Sequence, residues 1–313
     1  MNHGQLIPID LHCHSMNSDG SLPVKELLNI AKSNGSKYLA LTDHDTVDGV
    51  TEAKTYAKEI GLTLFGGVEI SVTWENALVH ILGLNINESN TNLLTNLAQL
   101  GNLRIERGHK IADKLAKIGI KNALEGAMQY CSGEKSLSRT HFNRFLVDHG
   151  YAKPGKAFEK YLAPGKAAYV PQQWANLESA LEWIIQSGGI GVIAHPSRYK
   201  FTRTKLIRLI EQFKYFGGRG IEVISSAHSL SDVANIAKFA HDYDLLGSVG
   251  SDFHAIDTGY RKIKVGVNSP LPAICEPIFN SLGINPAVIS ESIPNHLVPQ
   301  HMAENYSIEE NAI

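Results

Sequence analysis

The chain has 313 residues, of which 43% are hydrophobic and 19% charged, and its formal net charge is −2. That composition is globular and long enough for a large core, and it excludes a global basic field able to hold long duplex nucleic acid. The three cysteines, Cys13, Cys131 and Cys275, are odd in number and form no C-x-x-C pair, which excludes a disulfide framework and points to a reducing, cytoplasmic compartment.

In chain order, "LIPIDLH" reads as a strand and "SLPVKELLNIAKSNG" as a helix, with Ser21 as N-cap, Pro23 in the first turn and Gly35 at the end. "KYLALTD" is a strand, and "VDGVTEAKTYAKEIG" a helix closing on Gly61. "LTLFGGVEISV" and "ALVHILGL" are strands. A polar, helical interruption follows, beginning with "TNLLTNLAQLGNLRIERGHKIADKLAKIGI". The alternation then resumes: helix "NLESALEWIIQSGG", strand "IGVIAHP", helix "RTKLIRLIEQFKYFGG", strand "GIEVISS", helix "SLSDVANIAKFAHDYD" and strand "LLGSVGSD". Seven strands mostly separated by helices predict a parallel α/β sheet or barrel. The expected division is a barrel over 1–88 and 172–280, an inserted helical subdomain over 89–171, and an irregular C-terminal extension over 281–313. No apolar run approaches the length of a membrane span, and "MNHGQLIPID" lacks a signal-peptide core, so no membrane partner is expected.

The costly polar residues fall at strand ends. His12 and His14 close the first strand, with Asp19 five residues further on. Asp43 and His44 follow the second, Glu69 the third, and His80 lies inside "LVHILGL". His195 ends "GVIAH", while Asp252 and His254 follow "LLGSVG". The C-terminal ends of parallel strands converge on one face of a barrel, so six segments deliver imidazoles and carboxylates to one place. Such groups need partners when buried, and divalent cations supply them. Imidazole nitrogen and carboxylate oxygen suit manganese, iron and zinc. In H-x-H on an extended segment both side chains share a face, and Glu69 has two oxygens with which to bridge two ions. Nine candidate ligands are too many for one ion and suit two or three. Taken singly, "TDHD" could be a capped turn, Asp19 a turn residue and His80 an ordinary strand histidine. Their recurrence at strand ends favours the metal reading.

"DLHCHSMNSDG", "LTDHDT", "GVEIS", "VIAHP" and "GSDFH" together resemble the motif set of the polymerase-and-histidinol-phosphatase (PHP) family of metal-dependent phosphoesterases. The resemblance implies a distorted seven-stranded (β/α) barrel of PHP type with a trinuclear centre. In that arrangement His12, His14, Glu69 and Asp252 would hold one ion, Glu69, His80 and His195 a second, and Asp19, His44 and His254 a third. Manganese is placed first, with iron and zinc as alternatives. The inserted helical segment is similar to the branch of 3′,5′-nucleotide bisphosphate phosphatases and 5′→3′ exoribonucleases.

The insertion also supplies cations. Arg104 and Arg107 stand three apart on one helix face, and Arg139, His141 and Arg144 follow. Arg198 comes just after His195. Guanidinium groups match a terminal phosphate bidentately, so Arg104, Arg107, Arg139 and Arg198 are candidate substrate contacts. Asp43, Glu69 and His141 are the candidate catalytic residues, Asp43 as a ligand orienter or proton relay. The expected partner is a nucleotide or short RNA bearing a 5′-phosphate, with no obligate protein partner. A phosphatase for another small monoester such as histidinol phosphate, and a non-catalytic metal module, are the alternatives.

Overall fold

In the computed structural model, which describes residues 6–256 and 263–285, the seven apolar runs pair in sequence order into one sheet. The strands are β1 (Ile9–Cys13), β2 (Tyr38–Leu41), β3 (Thr63–Trp74), β4 (Ala77–Leu84), β5 (Ile190–Ile193), β6 (Gly220–Ser225) and β7 (Leu246–Gly250). β1–β3 and β5–β7 pair in parallel, but β4 runs antiparallel to both β3 and β5. This departs from the all-parallel sheet expected from the sequence. The cause is the two-residue turn Glu75–Asn76, whose φ values of +43° and +60° twist the chain into a tight hairpin. The sheet curls until the ends of β1 and β7 meet. There His14 N donates to Phe253 O at 2.9 Å and Asp252 N to His12 O at 2.8 Å.

Apolar side chains fill the barrel and coat it. Leu11, Ala40, Phe65, Leu82, Val192 and Val249 pack inside with Ile278 and Phe279 from a late 3-10 turn. Outside, α1 (Val24–Ser33) and α2 (Val50–Glu59) cover β1 and β2. α1 begins at Val24, with Pro23 at the cap position and no side-chain cap. The predicted cap Ser21 instead turns its backbone N–H to His254 O at 2.7 Å.

α3 (Thr91–Lys117) opens the interruption and serves two cores. Its first half puts Leu93, Leu97 and Leu100 against the sheet. Its second half puts Ile111 and Leu115 into a separate cluster with Phe142, Phe145 and Leu162. That cluster also holds α4 (Ala123–Met128) and α5 (Arg139–Asp148). Helices α6 (Leu177–Gln186), α7 (Arg203–Tyr215) and α8 (Leu230–Asp242) complete the outer layer. Most of the C-terminal extension expected from residue 281, namely 286–313, lies outside the described residues. Among the described residues no helix is long and apolar enough to cross a membrane.

The closure of the barrel turns on Asp10, which is wholly buried. Its carboxylate accepts from Ser251 N at 2.8 Å, Gly266 N at 2.7 Å and His12 N at 3.3 Å, tying β1 to the chain that follows β7. Asp10→Ala leaves buried amides without an acceptor, so it should cost at least about 2 kcal/mol, read as a lowered thermal midpoint. An unchanged midpoint would show that water replaces the carboxylate without loss.

Candidate metal centre

A register shift in β1 aims the first ligands. Three residues of β1, from Leu11 to Cys13, advance against only two of β2, from Ala40 to Leu41. A bulge of this kind re-aims a side chain. It lets His12 follow inward-packed Leu11 into the barrel, while Cys13 turns out and donates Sγ–H to Ala40 O at 3.3 Å. His14 then faces inward again. Glu69 lies midway along β3 rather than at its end, and a bridge to His44 ties the β2 loop beside it. His80 enters from antiparallel β4, directly across from Ser71. His195 and Asp252 have φ values of +25° and +51°, strained for non-glycine residues. Gly250 leaves room for this crowding, because a Cβ there would stand 2.3 Å from His12 Cβ and 2.4 Å from Glu222 Oε1.

The nine residues converge in three groups. In the first, His12 Nε2 and His14 Nε2 are each 3.2 Å from Glu69 Oε2, and 3.4 and 3.3 Å from Asp252 Oδ1. In the second, Glu69 Oε1 is 3.0 Å from His80 Nδ1 and 2.9 Å from His195 Nε2, and the two nitrogens are 3.3 Å apart. In the third, Asp19 Oδ1 is 3.3 Å from His254 Nε2 and 3.9 Å from His44 Nε2. His44 also turns Nδ1 to Glu69 Oε2 at 3.0 Å, so it touches two groups.

Ligand atoms about 2.1 Å from one ion stand about 3.0–3.4 Å from each other, which is the spacing found in the first two groups. Asp19 Oδ1, Glu69 Oε2 and Asp252 Oδ1 are buried and have no hydrogen-bond donor. Ligand atoms gathered around a common point, at spacings that suit a shared ion, fit divalent cations. Burial holds the pKa of His44 and His195 below the ordinary imidazole value, keeping their lone pairs available. Burial also opposes protonation of His14, yet Asp252 and Glu69 carry its pKa up to about 10. An ion binding there displaces that proton.

A second layer fixes the ligands. Glu222 Oε1 pairs with His12 Nδ1 at 3.0 Å, and its Oε2 accepts from His195 N at 2.6 Å. His12 therefore presents Nε2 to the centre. His254 Nδ1 lies 2.9 Å from Asp252 O, freeing its Nε2 in the same way. Arg198 Nη1 sits 2.6 Å from Asp252 Oδ2, so this arginine neutralises a ligand instead of standing with the other three. Tyr199 donates its hydroxyl to Ala194 O at 2.7 Å and accepts from His80 N at 2.9 Å. Glu222 and Tyr199 were missed in the sequence. The signal for Glu222 was an acid alone in the apolar run "GIEVISS".

Asp43 was expected to orient a ligand or to relay a proton. Its oxygens accept from Ser15 N at 2.8 Å, Ser15 Oγ at 2.7 Å and Ser18 Oγ at 2.6 Å. Both oxygens bond the loop that carries Asp19, so Asp43 shapes that loop, as a ligand orienter would. His141 is fully buried, and burial pushes its pKa down to about 4. Its Nδ1 accepts from Ser138 N at 3.0 Å, so neutral His141 keeps its hydrogen on Nε2 as a donor.

The insertion arginines cluster against Trp174, with Arg104 and Arg107 stacked 5.1 and 5.6 Å from its ring. Arg104 is not the free anchor expected. Its Nε and Nη2 bond Asp45 Oδ2 at 2.9 and 2.5 Å, and Nη2 reaches Ser71 Oγ at 3.1 Å. Arg107 donates Nε to Val170 O at 3.0 Å, and Arg139 lies 3.4 Å from Leu162 O. Among the described residues neither has a carboxylate partner. Burial, together with Arg139 and Arg104 nearby, draws the pKa of Arg107 down to about 9.

A family model described as the PHP domain matches residues 10–226. The chain is 45% identical over 275 residues to a 3′,5′-nucleoside bisphosphate phosphatase of Chromobacterium violaceum, covering 88% of this chain and 96% of that one. It is 44% identical over 246 residues to a 5′-3′ exoribonuclease of Haemophilus influenzae, covering 78% and 89%. A solved amidohydrolase from Chromobacterium violaceum, described with bound sulfate, superposes with a TM-score of 0.85 at 42% identity, covering 92% of this chain and 99% of that one.

Because Glu69 serves two ligand groups and Asp19 one, Glu69→Ala should release more metal per chain than Asp19→Ala. Elemental analysis after equilibrium dialysis against manganese reads the difference. Equal losses would mean that Glu69 does not bridge.

Proposed function

The chain belongs to the PHP-domain family, and from that premise we propose that it hydrolyses the phosphoester on the 3′ side of a 5′-phosphorylated nucleotide. With a monoester there, it is a 3′,5′-bisphosphate phosphatase; with a diester, it shortens single-stranded RNA from the 5′ end. The observation that carries this reading is the cluster of three arginines with one carboxylate between them, one residue removed from the metal centre on two sides. Arg104 holds Asp45, the neighbour of His44, while Arg139 precedes Thr140, whose hydroxyl bonds Asp19. Excess positive charge half-withdrawn from water calls for an anion, and a terminal phosphate suits paired guanidinium groups.

The residues divide the work. His12, His14, Glu69 and Asp252 would hold one divalent ion, Glu69, His80 and His195 a second, and Asp19, His44 and His254 a third. Such ions, manganese first in our reading, supply Lewis-acid polarisation of phosphoryl oxygens and activate water for attack on phosphorus. Glu222 fixes the tautomer of His12 and the backbone of His195, so both present Nε2 inward. Arg198 neutralises the outer oxygen of Asp252 and leaves the inner one for an ion. Arg107 and Arg139, steadied by Arg104, seat the 5′-phosphate and so place the 3′ phosphoester over the centre. The thiols Cys13, Cys131 and Cys275 are all free, consistent with a cytoplasmic enzyme.

Arg107→Ala and Arg139→Ala should each lower kcat/KM for adenosine 3′,5′-bisphosphate and 5′-phosphorylated RNA by about tenfold to a hundredfold, the loss of one charged hydrogen bond. Activity on 5′-hydroxyl RNA should stay low and change little, and histidinol phosphate should be a poor substrate for all forms. Equal effects on phosphorylated and unphosphorylated RNA would remove the 5′-phosphate anchor.

A further inference from the structure

The first turn of α5 reaches out of the inserted segment to a loop of the barrel. Thr140 Oγ1 donates to Asp19 Oδ2 at 2.8 Å, and Ser138 Oγ to the same oxygen at 3.3 Å. Arg144, one turn on, donates to Asp19 O at 2.8 Å and Gly20 O at 3.3 Å. The loop fits tightly where it is gripped, since a Cβ on Gly20 would stand 2.4 Å from His14 O. One oxygen of Asp19 is thus tied to the insertion. The other, Oδ1, is buried without a hydrogen-bond donor and faces His254 and His44.

A carboxylate on a loop has two equivalent oxygens and a soft terminal torsion. Hydrogen bonds to one oxygen remove that freedom and aim the other. Members of the other two ligand groups are held by barrel residues instead: His12 and His195 N by Glu222, His80 N by Tyr199 and Asp252 by Arg198. We infer that Thr140 and Arg144 are positioning residues for Asp19, so that the ion held by Asp19, His44 and His254 depends on the inserted segment while the other two do not. The centre is then built in two parts, two ions by the barrel and one by the contact between barrel and insertion. This inference rests on the metal reading proposed above.

The test is metal bound per chain, by elemental analysis after equilibrium dialysis of the full-length protein against a manganese series. Wild type is expected to fill three sites. Thr140→Val, which keeps the shape and removes the donor, should hold two ions at the manganese concentration that fills wild type and take the third only at tenfold more or higher. Thr140→Ser, which keeps the donor, should bind as wild type does. Should the valine form not fold, Arg144→Gln carries the same expectation. Three ions in Thr140→Val at wild-type concentrations would overturn the inference and leave the metal reading standing. Equal loss of all ions from the valine and serine forms would also overturn it. A wild-type protein that takes up no manganese would overturn both.

Discussion

The structure depends on one electrostatic constraint. Glu69, Asp252, His12 and His14 are shut away from water with their ligand atoms turned toward one another. Bare carboxylates in that position are costly unless a positive charge lies among them. Protons meet part of the need, which is why His14 is driven up to about 10. Divalent ions meet it better, because one ion faces several ligand atoms at once. The bulge in β1, the strained backbone at His195 and Asp252, and the small residue at Gly250 all serve that convergence.

Much of this was legible in the sequence. Ordered motifs marked eight of the nine side chains that the fold gathers, His80 being legible only through the resemblance, and the apolar runs marked the seven strands. The hairpin after β3 was not read, although Glu75–Asn76 is a two-residue connection between apolar runs; both residues must take left-handed backbone, and neither is glycine. The pairing of Arg104 with Asp45 was invisible for another reason. The two residues are 59 positions apart, and nothing in "TDHD" tells a capping aspartate from one that reaches across to a helix. The partners of Asp43 were hidden in the same way: Ser15 and Ser18 lie on another strand connection.

The inserted helices are more than a cover. α3 runs from the sheet into a second apolar cluster, so the arginines on its middle turns lie where barrel and insertion meet. The same junction holds the contact of α5 with Asp19. On the proposed reading, a seat for one phosphate and a metal ligand for the next share that boundary. In that reading a terminal monoester and an internal diester on the 3′ side of one nucleotide would reach the same site.

The most direct measurement is anomalous diffraction at the manganese edge from crystals of the full-length protein equilibrated with manganese. The account predicts three peaks, two sharing Glu69 and a third between Asp19, His44 and His254. An absence of anomalous density among these nine side chains, in a protein whose fold is otherwise as described, would contradict it.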